Sequence, residues 1–301
     1  MKFTHKSFVF DINSSVEVKS CPLCGSFDFK SLFPLKNHIY SFRRSYHYNF
    51  DIFLMECNVC GLLFKDRYLS SSAESSISVS YCSSSTSRWG STSFHPRFVN
   101  QLRPSPCDHV LEIGPGDASF SNSFSTASYL ALLESPPHSD LNYNFVVGNL
   151  DALSLDTRFS SYLFDRIYLF DVFEHLASPA EFLSLLKDKL SSRGEIVLQT
   201  GNGLHRNFPH SSSYYYYNVP EHKIFLTPAS LDYISKHYML NRSSFFTFHK
   251  SYLSTNYLIK SIIRAFVIFP ISILVSLFSK RSVFPSYLLP KKDHILAFLS
   301  V

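Results

Sequence analysis

Glycine is scarce in this sequence. Only nine of its 301 residues are glycine, less than half the roughly 7% share of an average chain. Each glycine is therefore expected where no other residue fits. Collagen-like and mucin-like bias are absent, and no internal repeat is found. With 45% hydrophobic and 17% charged residues, the chain has too much apolar matter for disorder and enough for a core. A basic cluster is also lacking. The 28 lysines and arginines are scattered and the net charge is +5, so there is no strong nucleic-acid signal. Near the start, Phe8-Val9-Phe10 runs straight into Asp11, which denies a secretion signal its apolar segment; a cytoplasmic location is expected. Long apolar runs are missing too. Within Tyr257 to Ser279 the longest uncharged run, Ala265 to Ser279, is broken by Pro270 and falls short of the roughly 20 residues that span a bilayer. The hydrophobic stretch around it, with Lys260, Arg264, Lys280 and Arg281, reads either as a cap packed on the protein or as a peripheral membrane contact through residues 257–281, on the inner face.

What is present divides into three textures. Residues 1–66 hold paired cysteines and short β-type runs, Phe27 to Phe29 and Ile52 to Met55. Residues 67–103 are serine-rich, densest from Ser70 to Ser87, and read as a connector or cap with room for a short helix. Residues 104–301 alternate short apolar runs with helical spacing, interrupted by the hydrophobic insert at about 257–285. The runs are Val110 to Ile113, Tyr129 to Leu133, Asn144 to Val147, Phe164 to Leu169 and Glu195 to Gln199, as in a parallel sheet covered on both faces. Ala180 to Leu190 has the apolar spacing of a helix. Thr227-Pro228 opens a second, with threonine as N-cap and proline in the first turn. Ser244 to Phe248 and Ile295 to Leu299 are candidate final strands. The fold class expected is α/β: a doubly wound, Rossmann-like sheet with a small N-terminal zinc ribbon.

Four of the six cysteines make two C-x-x-C-G knuckles, Cys21-Pro-Leu-Cys24-Gly25 and Cys57-Asn-Val-Cys60-Gly61. Two intervening residues let both sulfurs of a pair reach one ion, and a following glycine can take positive φ and turn backbone amides toward sulfur. Four thiolates leave no open coordination position, so the ion expected is a structural Zn2+. Cys82 and Cys107 lack such a motif and read as ordinary small residues.

Val110-Leu-Glu112-Ile-Gly114-Pro-Gly116-Asp117-Ala118 is a strand entering a glycine turn. A second carboxylate, Glu134, follows about 20 residues on, where it can accept both hydroxyls of a ribose. Ser119 stands where a dinucleotide fingerprint has its third glycine, which disfavours a pyrophosphate-bearing ligand and with it a nicotinamide-dependent oxidoreductase. Together with Phe164-Asp165-Arg-Ile-Tyr-Leu-Phe-Asp171-Val-Phe-Glu174-His175-Leu, Pro179-Ala-Glu-Phe-Leu and Ser192-Arg-Gly194-Glu-Ile-Val-Leu, this loop resembles the class I S-adenosylmethionine-dependent methyltransferases. The double knuckle resembles the subgroup in which a zinc ribbon precedes that domain, often associated with sugar or polysaccharide modification.

The resemblance implies roles residue by residue. Glu112, Gly114 and Gly116 would hold the amino-acid end of S-adenosylmethionine, and Glu134 its ribose. Asn149 stands where the family commonly has an aspartate for the adenine amino group, with the Leu150 amide beside the ring and Phe170 at the strand edge. Ala118 replaces the family's usual third glycine. Asp171, His175 and His222 are the candidates for the methyl-transfer face, Glu174 beside them; bracing of a helix start is the competing reading for Glu174 and His175. Tyr214 to Tyr217 read either as the lining of an acceptor pocket or as strand-like packing. The acceptor implied is a small molecule or a carbohydrate-linked one. The competing class is a zinc-ribbon or RNA-associated binding protein carrying a degenerate methyltransferase fold. Oligomeric state is not legible.

Overall fold

The structure is a computed structural model that describes residues 6–41, 44–82, 102–115, 120, 127, 129–133, 146–147, 162–204, 214–248 and 294–301. Gly116, Glu134, Asn149, Leu150 and the hydrophobic stretch 257–285 lie outside them.

Seven strands form the main sheet: β9 (His109–Ile113), β10 (Tyr129–Leu133), β11 (Val146–Val147), β12 (Phe164–Phe170), β13 (Leu190–Gly201), β15 (Asn241–Phe248) and β16 (His294–Ser300). Their order is β11-β10-β9-β12-β13-β16-β15. The pairs from β11 to β13 are parallel, whereas β16 runs antiparallel to both β13 and β15. The chain leaves β9 toward one edge and returns through β12 to build the other, so strand order reverses between β9 and β12. That is a doubly wound arrangement, and its crevice opens at the carboxyl ends of these two strands.

Strand periodicity fixes the two faces of the sheet. Leu111, Ile113, Ile167, Leu169, Ile196, Leu198, Ile295, Ala297 and Leu299 lie in one apolar cluster, while Val110, Tyr168, Phe170, Val197, Leu296 and Phe298 lie in another. Alternate residues point to opposite faces, and both are buried, as the runs of consecutive apolar residues require. Helix α2 (Pro179–Asp188) joins β12 to β13 and buries Phe182, Leu183 and Leu186. Helix α4 (Pro228–His237) starts at Thr227, whose hydroxyl accepts from the Ser230 amide in a capping box, and buries Leu231 and Ile234.

The cysteine-bearing segment contains β1 (Lys6–Phe10), β2 (Ser15–Glu17), β3 (Phe29–Pro34), β4 (His38–Ser41), β5 (Arg44–Tyr48), β6 (Phe53–Cys57), β7 (Leu63–Lys65) and β8 (Arg67–Leu69), followed by helix α1 (Ser71–Cys82) in the serine-rich stretch. Its four-stranded sheet comprises β3, β6, β7 and an edge strand β14 (Ile224–Phe225), in the order β14-β7-β6-β3, and β14 comes from the part of the chain between β13 and β15. Apolar packing is shared as well. Cys21, Leu23, Cys57, Cys60, Leu62 and Phe64 belong to the cluster that holds Leu111, Leu183 and Leu231.

Several element bounds differ from the sequence expectation. β13 begins at Leu190 because that residue pairs with Phe164 before an irregularity brings Arg166 level with Glu195. Phe170 is the last residue of β12. Tyr215–Asn218 is a short helix, α3, and Tyr214, Tyr216 and Tyr217 are buried with Phe10, Tyr46 and Leu54. Among the described residues no helix is long and apolar enough to cross a membrane.

Candidate functional site

Among the described residues, two groups of ligand-type side chains converge. The first is Cys21, Cys24, Cys57 and Cys60, whose sulfurs all lie within 4.8 Å of one another. Cys21 and Cys60 approach to 3.5 Å and Cys24 and Cys57 to 3.4 Å. A zinc ion with bonds of about 2.3 Å places its sulfurs about 3.8 Å apart, so the spacing fits. The knuckle turns are built by Gly25 and Gly61, with φ of 71° and 69°, whose amides donate to the carbonyls of Cys21 and Cys57. At Gly61 space is limiting too, since a Cβ would lie 2.6 Å from that of Ala229 in the first turn of α4. The Thr227 hydroxyl donates to the Gly61 carbonyl at 2.9 Å.

The charge balance also suits a cation. The hydrogen bond from Cys60, against the opposing effect of burial and with help from the amides of Cys24 and Leu23, holds the Cys21 thiol down at about 5. The same contact drives Cys60 up. A divalent cation among the four sulfurs would favour the charged form of each. Cys107 is exposed and forms no disulfide.

The second group gathers at the carboxyl edge of the main sheet. Gly114, φ 66°, turns the chain after β9, and a Cβ there would come within 2.6 Å of Val172 Cγ2. The glycine turn and the segment after β12 are therefore in close contact. Glu112 is buried on β9, opposite Tyr168. Phe170 is buried at the end of β12 and packs edge-on to Phe120. Asp171 follows in left-handed backbone, φ 55°, a conformation unfavourable for a residue with a Cβ. Its amide donates to the Gln199 carbonyl at 2.9 Å, and its carboxylate lies 3.9 Å from His294 Nε2.

The turn of 3-10 helix over Phe173–His175 then sends Glu174 inward and leaves His175 exposed. Glu174 is fully buried. Its carboxylate accepts from the Tyr216 hydroxyl and, at 2.8 Å, from Thr200 Oγ1. Burial and the neighbouring Asp171 raise its pKa to about 7. Tyr216 reaches Glu174 only because residue 201 is glycine: a Cβ there would lie 2.0 Å from the Tyr216 ring.

His222 completes the group. Its Nδ1 is 3.0 Å from the Tyr216 carbonyl. A carbonyl only accepts, so Nδ1 carries the proton and Nε2 the lone pair. Burial, followed by the nearby His175 and Lys65, pushes its pKa well below the usual histidine range, and the ring is neutral. The His175 and His222 rings are 4.9 Å apart, edge to face.

The stretch bearing His222 is tied to both parts of the molecule. Lys65 Nζ, from the cysteine segment, donates to the Val219 carbonyl at 2.7 Å, and the Lys223 amide donates to the Glu174 carbonyl at 2.7 Å. Sequence reasoning missed Lys65 and Thr200 as parts of this network, and singled out Tyr216 only within Tyr214 to Tyr217. Lys65 carries no local signal; its role exists only through a residue more than 150 positions away.

A cavity of about 440 Å³ lies at the opposite, amino-terminal edge of the sheet, lined by Arg103, Asp108, Asp165, Arg166 and Arg193. Arg193 Nε pairs with Asp165 at 3.0 Å and Arg166 with Glu195. These charges satisfy one another across the start of β9, β12 and β13, so the cavity reads as a structural ion network, remote from the site.

No family model and no curated protein matches this chain. Solved structures do. A SAM-dependent methyltransferase from Archaeoglobus fulgidus is 18% identical and aligns over 68% of this chain and 90% of its own, with a TM-score of 0.44. The N-methyltransferase NodS from Bradyrhizobium japonicum WM9 is 12% identical over 64% of this chain and 86% of its own, TM-score 0.38. The 1,6-didemethyltoxoflavin-N1-methyltransferase of Burkholderia thailandensis, solved with 1,6-didemethyltoxoflavin and S-adenosylhomocysteine, is 10% identical over 67% and 73%, TM-score 0.40.

Proposed function

We propose that this chain is an S-adenosylmethionine-dependent methyltransferase acting on a small-molecule or carbohydrate-linked acceptor, with a structural zinc at Cys21, Cys24, Cys57 and Cys60. The observation that carries the reading is the meeting, at the point where strand order reverses, of the glycine turn after β9 with the Asp171 to His175 segment after β12. In sheets of this kind that crevice is where ligands bind.

The residues at this edge fit the cofactor. Glu112 and Gly114 take its amino-acid end, Gly114 leaving the backbone open to close approach, and Phe170 lies beside it. Gly116, Glu134, Asn149 and Leu150 are proposed for the remaining contacts. Methyl transfer is an in-line displacement from a sulfonium, so the protein's work is to align the nucleophile and manage its proton. His175 and His222 face the acceptor in this reading, with the His222 Nε2 lone pair available there, and Asp171 bounds the same edge.

Isothermal titration tests it. The purified chain is expected to bind S-adenosylhomocysteine, and Glu134→Ala to weaken that binding about tenfold or more through loss of a charged hydrogen-bond acceptor. Absence of binding, or binding of NADH in its place, overturns the reading.

A further inference from the structure

We propose that Glu174, His175 and His222 form a binding site for a divalent first-row transition ion at the acceptor edge of the sheet. The inference rests on the methyltransferase reading for its purpose, though not for its geometry. A carboxylate oxygen of Glu174 and one ring nitrogen from each histidine lie within 4.8 Å of one another. Two imidazoles and one carboxylate are a donor set that takes such ions with coordination positions left open.

The surroundings of these three groups are what a metal site requires beyond its ligands. A ligating histidine characteristically donates its other ring N–H to a carbonyl or carboxylate, and a ligating carboxylate is itself hydrogen-bonded. Both conditions hold at the two buried ligands. His222 spends Nδ1 on the Tyr216 carbonyl, which fixes the tautomer and leaves Nε2 as the donor atom. Glu174 is held by Thr200 and by the Tyr216 hydroxyl. One tyrosine therefore orients two of the three ligands, and Gly201 is what admits its ring. Each oxygen of Glu174 keeps a second lone pair after accepting one hydrogen bond.

The third ligand differs in a way that gives the site an open side. Glu174 and His222 are buried, but His175 is exposed, so a site built from all three has one side toward solvent. The ligand class that follows is an acceptor carrying a hydroxyl or enol oxygen. Bound there, that oxygen is acidified by the cation and loses its proton to solvent. Its freed electron pair then forms the bond to the methyl carbon as the carbon–sulfur bond of S-adenosylmethionine breaks, leaving S-adenosylhomocysteine. The cysteine cluster does not compete for this role, because four thiolates close the shell of their ion.

The test uses the full, zinc-loaded chain, with Mn2+ as the probe because it prefers nitrogen and oxygen donors to the thiolate site. Loss of the free Mn2+ electron paramagnetic resonance signal on titration reports binding. One site is expected in the wild-type chain, weakened roughly 10–100-fold in His175→Ala and in Glu174→Gln. His175 is exposed, so its variant is expected to keep the wild-type melting temperature and guards against mistaking unfolding for lost ligation. S-adenosylhomocysteine titrated into the same preparations is expected to bind all of them alike. No Mn2+ binding at millimolar concentration, or equal binding by the wild type and His175→Ala, overturns the metal site whatever the cofactor does. Mn2+ binding without S-adenosylhomocysteine binding leaves the metal site standing and removes the methyltransferase reading.

Discussion

The two donor clusters of this protein are built in opposite ways. In the cysteine cluster each pair of ligands comes from one tight turn, with two residues between them, and each turn is closed by a glycine in left-handed backbone. The donors are alike, inward-facing and numerous enough to exclude everything else. The Glu174, His175 and His222 cluster draws on two separate stretches after β12 and β13, with Thr200, Tyr216 and Lys65 as supports from three more places. Its donors are of two kinds, a carboxylate and two imidazoles, and one is exposed. A cluster assembled locally serves to make a fold; one assembled from distant segments depends on the fold and can leave a side open to a ligand. The two also depend on each other. Thr227, a few residues beyond His222, donates to the carbonyl of Gly61 in the second knuckle.

The strongest test of that dependence is Cys60→Ala. Structural zinc contributes on the order of 10 kcal/mol or more to a small domain, comparable with the whole stability of a typical protein. Near-stoichiometric zinc should be lost. Because Cys60 shares an apolar cluster with Leu111, Leu183 and Leu231, thermal unfolding of the main sheet should shift down with it. A variant that loses zinc while the main transition stays in place would separate the two regions.

Gly201→Ala is the next largest. Its Cβ would occupy space held by the Tyr216 ring, and overpacking of this kind costs typically 1–3 kcal/mol. Denaturant unfolding should show that loss with the zinc content unchanged, which would assign Tyr216 to the second cluster alone.

Lys65→Met sharpens the link between the regions through pH. Burial, partly offset by Glu221 and Glu74, lowers the Lys65 pKa to about 7, against about 10.4 in an unfolded chain. The unfolded state therefore holds the proton more tightly, and the wild type gains stability as pH rises from the folded value toward the unfolded one. Urea unfolding should show a gain of about 2 kcal/mol between about pH 7 and pH 9 in the wild type, and a flatter profile in Lys65→Met. Equal slopes would mean that the amine is not excluded from water.

What the sequence discloses follows the same division. The knuckles are legible because the geometry of a turn is written in adjacent residues. The strands at Val110 and Phe164 and the helix after Pro179 are legible because their apolar periods are local, as is the Thr227 cap. The early start of β13 at Leu190 is not, since it depends on pairing with Phe164. Tyr214 to Tyr217 look alike in sequence, yet Tyr216 bonds Glu174 and Tyr217 bonds the Gly203 carbonyl. Asp171 is of a type that tolerates left-handed backbone, but nothing local to it shows that it takes that conformation here. His222 stands out as a histidine, but its tautomer is set by a carbonyl that only the folded chain brings near.

The pairing of β7 with β14 has a consequence in time. A growing chain emerges amino-terminal end first, and its domains tend to fold as units in that order. Here the knuckles can capture their ion early, yet the edge of β7 must wait for Ile224 and Phe225, about half the chain later, before its backbone groups are paired. Through that interval the nascent protein carries an open sheet edge, a ready template for pairing with another chain. The protein is thus most exposed to misassembly during synthesis, and the late-made strand β14 acts as the latch that ends that exposure.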